Sequence, residues 1–379
     1  MEVKMVRIRR KIVLGILIGL GMVIVNGMSA LPNNGKGLTE VEGQRDYKKS
    51  VSPKFADVDA SGLKVVKVER LTYDACKTKY KTYVFPKWSP DGRKIVFGSN
   101  AGFRAGGFDG VWIINADGKN KRELTIKGRD IAWGLCDFWS SSSKELILNT
   151  GTAIEVVEIE KEKIYTVATS KRDEYLKAGV RQPSGEIISV IDGRVVKITQ
   201  DKTTTRLKSF PVETSADQGR IIYYLDEKIW IADADGKNEQ VLVKKGIDPI
   251  ISPDGKKVCY QRSESGHIII LWIDGTKKFA PPLLFPYYAS WSPDGTKIIV
   301  NEIREEGQVR HEEGYGIETA SGALIDADLY VGNANNTGWR ALTDTKDEAE
   351  LYPDWSPDGS KIVYVSGKTG DIYVITLSN

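Results

Sequence analysis

A reactive centre in this chain would have to be assembled from few parts: two histidines, His267 and His311, three cysteines, and the carboxylate pairs Glu305-Glu306 and Glu312-Glu313. A serine hydrolase needs its serine on a strained elbow, beside a histidine base and an orienting carboxylate. No Gly-x-Ser-x-Gly occurs. His267 follows Gly266 and opens an apolar run, which reads as a turn or strand end; two histidines in different repeats are too few for a histidine-held metal. The glutamate pairs have the chemistry of an acid and a base, yet adjacent glutamates among charged neighbours fit a solvated loop. Ser366-Gly367-Lys368-Thr369-Gly370 imitates the end of a phosphate-binding loop, but Ile362 stands where the first glycine is required and no helix follows, so it reads as a hairpin turn. Asp57-Val58-Asp59-Ala60-Ser61-Gly62 offers alternating oxygens before a glycine, as a calcium loop does. Val68 occupies the position where the bidentate glutamate belongs, and a linker turn is the simpler reading. Cys76, Cys136 and Cys259 are odd in number and widely spaced, so they support at most one internal bridge and no structural zinc. Cys136 and Cys259 read as small buried apolar residues. No catalytic residue, metal site or cofactor is therefore expected.

The 379 residues carry a net charge of +3 with 28% charged residues and no long basic stripe, which argues against a nucleic-acid partner. Arg7, Arg9, Arg10 and Lys11 precede the apolar run from Ile12 to Val25, and Gly27, Ser29 and Ala30 follow. This is the layout of a signal peptide spanning residues 1–30, cleaved after Ala30. The alternative is an uncleaved membrane anchor, which Met28 near the cut favours and the shortness of the run opposes. Residues 31–62 are rich in Gly, Lys, Asn and Ser and read as a flexible linker. The expected location is periplasmic or secreted.

What must position any site is a repeat. Trp88-Ser-Pro-Asp91-Gly92, Trp291-Ser-Pro-Asp294-Gly295 and Trp355-Ser-Pro-Asp358-Gly359 are identical, and Ile251-Ser-Pro-Asp254-Gly255 replaces only the Trp. Each precedes basic or polar residues and an apolar run, so each reads as strand, turn, strand: Pro presets the first turn φ, Asp suits the second, and Gly takes the positive φ that follows. The three tryptophans are expected to pack the inner strands. Three degenerate copies fit the same slot: Trp139-Ser-Ser-Ser-Ser143, Gln182-Pro-Ser-Gly185 and Ser215-Ala-Asp-Gln-Gly219. A third strand with a recurring aromatic and a fourth ending in Arg-x-Leu-Thr follow, at Arg122–Thr125 and Arg340–Thr343. The last unit lacks a fourth strand, while Leu63–Thr72 ends in Arg-Leu-Thr and lacks the first three. The N-terminal strand is thus expected to complete the last blade and close a ring. Units of about 45 residues predict an all-β, seven-bladed propeller over 63–379, with six blades as the alternative.

These repeats resemble the WD40-like Pro-Asp repeats of the TolB-like propellers, and the propellers that precede the catalytic domain of prolyl-oligopeptidase-type peptidases. The α/β domain that precedes the TolB propeller has no counterpart in 31–62, and residues 63–379 are expected to hold the propeller and not the peptidases' hydrolase domain. Lyases acting on oligogalacturonides carry similar repeats but hold a metal with several histidines, which this chain does not supply.

The Ser-Pro-Asp-Gly and Asp-Gly turns lie on one plain face of such a ring, and the elaborated segments lie on the other. These are the link Tyr73–Pro86, the loop Ser99–Gly110 and the insertion Arg304–Asp326, in blades expected to be neighbours. Their candidate binding residues are Tyr80, Tyr83, Phe103, Arg104, Phe108, Arg304, Arg310, His311 and Tyr315, a mixture of aromatic and charged groups suited to recognition. The expected function is an exported propeller that binds another envelope or extracellular protein, or a glycan. Contact with a membrane would come only through an uncleaved leader. A propeller-scaffold enzyme, such as a polysaccharide lyase or hydrolase, is the alternative.

Overall fold

The computed structural model describes residues 62–75, 82–100, 107–108, 110–124, 131–132, 139–140, 142–149, 153–169, 177–181, 187–191, 194–198, 204–206, 213–215, 220–225, 228–233, 238–263, 265, 267–283, 286–303, 327–345 and 348–378. The expected leader, the expected linker as far as residue 61 and the degenerate turns at 182–185 and 216–219 lie outside them.

Strand β1 (Lys64–Arg70) is followed by a sheet of β2 (Thr82–Trp88), β3 (Lys94–Asn100), β5 (Gly110–Asn115) and β6 (Arg122–Leu124). Beside it, the short β4 (Gly107–Phe108) pairs with β7 (Ile131–Ala132). A three-stranded sheet holds β8 (Glu145–Asn149), β9 (Ala153–Glu158) and β10 (Lys163–Thr169). Next come β11 (Lys177–Arg181), β12 (Ile187–Ile191), β13 (Arg194–Ile198) and β14 (Thr204–Arg206). The following sheet joins β15 (Glu213–Ser215), β16 (Arg220–Leu225), β17 (Lys228–Asp233) and β18 (Gln240–Val243). Two more hold β19 (Ile247–Ile251), β20 (Lys257–Gln261), β21 (Ile268–Trp272) and β22 (Lys278–Phe279), then β23 (Pro286–Trp291), β24 (Lys297–Ile303), β25 (Ala327–Asn333) and β26 (Arg340–Ala341). Finally β27 (Glu350–Trp355), β28 (Lys361–Ser366) and β29 (Ile372–Ser378) take β1 as their fourth strand, in the order β1-β29-β28-β27. Neighbouring strands of every sheet run antiparallel, the arrangement of a β-propeller.

The expectation of seven equivalent blades, or of six, is corrected to five. Five four-stranded sheets have described side chains that pack as blades, those beginning with β2, β15, β19, β23 and β27. Among the described residues the strands β8–β10 make a sheet of three, and on the side of its expected first strand Trp139 pairs with Leu146 in one isolated bridge. The sheet β11–β14 is described by backbone pairing alone. Both regions are where the turn motif decays, so counting degenerate copies as full blades overshoots.

Consecutive sheets enclose apolar cores. Val96, Val111 and Ile113 meet Leu146 and Val157; Ile95 and Phe97 meet Val363 and Val374; Ile299 and Leu329 meet Ile362 and Ile375. Ile268 and Ile270 meet Ile298 and Val300, and Ile229 and Ile231 meet Val258 and Ile269. The second strands β3, β24 and β28 bury both faces because a blade lies on either side, which is why they read as largely apolar runs.

The repeated turn is a local hydrogen-bond circuit. Ser89 Oγ donates to Asp91 Oδ1 (2.7 Å) and accepts the Lys94 amide (2.9 Å), while the Gly92 amide donates to Ser89 O (2.8 Å) at φ 69°. Ser252, Ser292 and Ser356 do the same with Asp254, Asp294 and Asp358. Burial acts to raise these four carboxyls, but the serine hydroxyl, nearby backbone amides and basic neighbours outweigh it and hold each below its ordinary range. Successive turns also interlock: Pro253 lies against Gly295, Pro293 against Gly359 and Pro357 against Gly92. In the degenerate copy Ser140, Ser142 and Ser143 occupy the Ser, Asp and Gly places, with Ser143 at φ 60° and its Oγ accepting the Asp91 amide (3.0 Å). Trp139 and Trp291 donate their indole N–H to the carbonyls of Lys87 and Ile250, both at 3.2 Å, and so tie each inner strand to the one before.

Candidate functional site: an aromatic cluster on the inner strands

The inner strands share a feature three residues before the Trp position. Phe85 (φ 50°), Asp248 (φ 48°), Tyr288 (φ 35°) and Tyr352 (φ 55°) are all left-handed, and at each the register to the second strand shifts. Such a bulge re-aims a side chain, and a left-handed bulky residue costs about 1–3 kcal/mol. Three of these residues meet. Phe85 and Tyr352 have ring centroids 4.3 Å apart, Tyr288 and Tyr352 4.6 Å, and Phe85 and Tyr288 5.7 Å. The rings come from three successive inner strands, β23, β27 and β2, so they converge where those strands line the propeller axis. Burial pushes the Tyr352 hydroxyl up to about 12, partly opposed by its hydrogen bond with Tyr288. Below the rings Asp354 ties the same strands together, accepting Lys87 Nζ (3.0 Å), the Trp88 amide (3.0 Å) and Ser290 Oγ (3.2 Å).

A second polar cluster closes the ring. Asp371, buried in the turn before β29, accepts Arg70, the Thr72 hydroxyl (2.6 Å) and the Ala75 amide (3.1 Å). Beside it Tyr83 donates to Asp74 Oδ1 (3.0 Å) and accepts Lys121 Nζ (2.8 Å), and Lys121 pairs with Asp74. Tyr83 is only 3% exposed, packs on Phe97 and Trp112, and burial pushes its hydroxyl up. It supports the link and presents no surface.

A third cluster lies at the start of β27. Glu350 is 1% exposed and accepts the hydroxyls of Thr343 and Thr345, while the Thr345 amide donates to Asp328 Oδ1 (3.1 Å). Burial pushes Glu350 up to about 7; the threonine hydroxyls oppose this, and the carboxylates of Asp328 and Glu348 add to it.

Of the candidate residues named from the sequence, Tyr80, Phe103, Arg104, Arg304, Arg310, His311 and Tyr315 lie outside the described residues, and Phe108 is placed by its backbone only. The flanks of their segments do converge: Ile303 and Ala327, on either side of 304–326, share one core with Ala75 and Tyr83, on either side of 76–81. Sequence reasoning passed over Phe85, Tyr288 and Tyr352. The available signal was an aromatic three places before the Trp, followed by Pro at Phe85-Pro86 and Tyr352-Pro353. The repeat residues Trp88, Trp291 and Trp355 are buried in blade cores, and Asp91, Asp254, Asp294 and Asp358 are spent in their turns. Among the described residues no group of three His, Cys, Asp or Glu is placed to hold a metal ion. Cys259 is buried in the core between β20 and its neighbours.

No family model matches the chain, and no curated protein does. Solved structures do. An oligogalacturonate lyase from Vibrio parahaemolyticus superposes with a TM-score of 0.57 at 14% identity, over 82% of this chain and 93% of that one. A catalytically inactive virginiamycin B lyase from Staphylococcus aureus, with quinupristin, gives 0.55 at 14% identity over 82% and 99%. The β-propeller domain of Swd1 from Myceliophteria thermophila gives 0.53 at 12% identity over 83% and 100%. At these identities the likeness is one of fold: the chain is a β-propeller.

Proposed function

We propose that this chain is an exported, TolB-like binding propeller of the cell envelope, which takes a segment of another envelope or extracellular protein at the axial end of its inner strands. The observation that carries this reading is the convergence of Phe85, Tyr288 and Tyr352, each on a left-handed bulge. Bulky residues in that conformation persist where the surrounding structure over-determines them, and they cluster at ligand clamps and switch regions. Aromatic rings supply large rigid contact area at small entropic cost. Export is supported by the basic, apolar and small-residue succession of residues 7–30. The test is capture from an envelope extract by the wild type and by the Tyr288→Ala/Tyr352→Ala variant, each with and without glycan competitors. The reading expects a protein retained by the wild type and lost by the variant. Equal capture by both would overturn it, and competition by glycans alone would move the ligand class to carbohydrate.

One observation favours a second reading, a propeller-scaffold enzyme. A carboxyl brought to about 7, as Glu350 is, has the proton affinity of a general acid or base at neutral pH, and two of the similar structures are named as lyases. Incubation with oligogalacturonate, followed by the absorbance of unsaturated product, tests it. Turnover abolished by Glu350→Gln would establish this reading, and its absence in the wild type would remove it for this substrate.

A further inference from the structure

We propose that β1 is a self-association edge, at which a second copy of this chain adds its own β1 antiparallel to form a continuous sheet across the two last blades. β1 is the outermost strand of its sheet, and its residues Lys64 to Val68 are all exposed. Val65, Val66 and Val68 are 39%, 62% and 49% exposed, three of the five large hydrophobics left open on the described surface. An outer strand carrying exposed valines is a template for another strand.

Its register follows from charge. The Leu71 amide donates inward to Ile372 O, so strand alternation turns the backbone groups of Val68 and Arg70 outward, free to pair. In a symmetric antiparallel pair the two-fold axis passes between a residue and its own copy. Centred on Lys67, the pairing would set two ammonium groups face to face. Centred on Val66, it would leave each lysine opposite a valine. Centred on Val68, it sets Val68 against Val68 and, twice over, Lys67 of one copy against Glu69 of the other. Lys67 and Glu69 already lie on one face of the strand, 2.6 Å apart in an exposed ion pair. Two copies then form a square of alternating charge on that face; on the opposite one Val68 meets Val68 at the centre, with Val66 against Arg70 on either side. The occupant that complements this edge is therefore the same edge, and the lysines that would repel another basic strand become its register marks.

Sedimentation equilibrium of the full chain, at concentrations up to roughly millimolar because an edge-to-edge contact is below standard interface size, tests the inference. A reversible dimer is expected. Glu69→Lys should weaken it by about 10-fold or more, since two opposite-charge pairs become like-charge pairs, and adding Lys67→Glu to that variant should restore it. Unfolding midpoints of all three proteins show whether the variants remain folded. A wild type that stays monomeric throughout, or a folded double variant that fails to recover association, would overturn the proposal.

Discussion

Glu350 gives the residue scale its sharpest consequence. Its folded carboxyl lies at about 7, above the ordinary value of 4.5. A group raised in the folded state binds more protons there than when unfolded, so its contribution is whole below the unfolded value and is lost as pH climbs through the folded one. This single side chain should therefore cost on the order of 3 kcal/mol of stability between pH 4.5 and pH 8. Glu350→Gln keeps an acceptor for the threonine hydroxyls and removes the titration. Urea unfolding at pH 5 and pH 8 should show the wild type weaker at pH 8 and the variant nearly level; parallel behaviour of the two would remove Glu350 as the cause. The four turn aspartates act oppositely, because their depressed values make a contribution that holds at neutral pH and fades on acidification.

At the scale of the element, the turn and the ring closure differ in how far the sequence reveals them. Ser356, Asp358 and Gly359 contact one another within four positions, so spacing alone displays the circuit. Gly359→Ala, placing a side chain at φ 71°, should cost about 1–2 kcal/mol in thermal or urea unfolding. The closing pair Arg70 and Asp371 lies 301 positions apart, and nothing local marks it. Asp371→Ala removes the acceptor of the Arg70 guanidinium, the Thr72 hydroxyl and the Asp74 and Ala75 amides; since Arg70 is one-third exposed and keeps its bond to the Thr72 carbonyl, the loss should be about 2–4 kcal/mol, below that of a wholly buried pair. An unfolding midpoint unchanged in that variant would show that the ring does not depend on this contact. The bulge residues were only partly legible. An aromatic stands three places before the Trp at Phe85, Tyr288 and Tyr352 while Asp248 fills that place in the fourth copy, and the extra residue each inner strand carries there shows only once the strand is paired with its neighbour.

For the whole molecule, the sequence displayed an all-β repeat and the join of first strand to last, because the turn motif and the Arg-Leu-Thr ending repeat visibly. It overstated the number of blades. Ser140, Ser142 and Ser143 still complete a turn, which makes the copy countable, while the described residues give its first-strand side one isolated bridge, Trp139 to Leu146. Turn chemistry and strand pairing are separable, and only pairing makes a blade. The functional account rests on the three aromatic rings gathered from β2, β23 and β27. It is tested most directly by envelope-extract capture with the wild type beside the folded Tyr288→Ala/Tyr352→Ala variant. The account predicts a retained protein that the variant loses by about 10-fold or more, the cost of removing two aromatic anchors; equal retention by the two would contradict it.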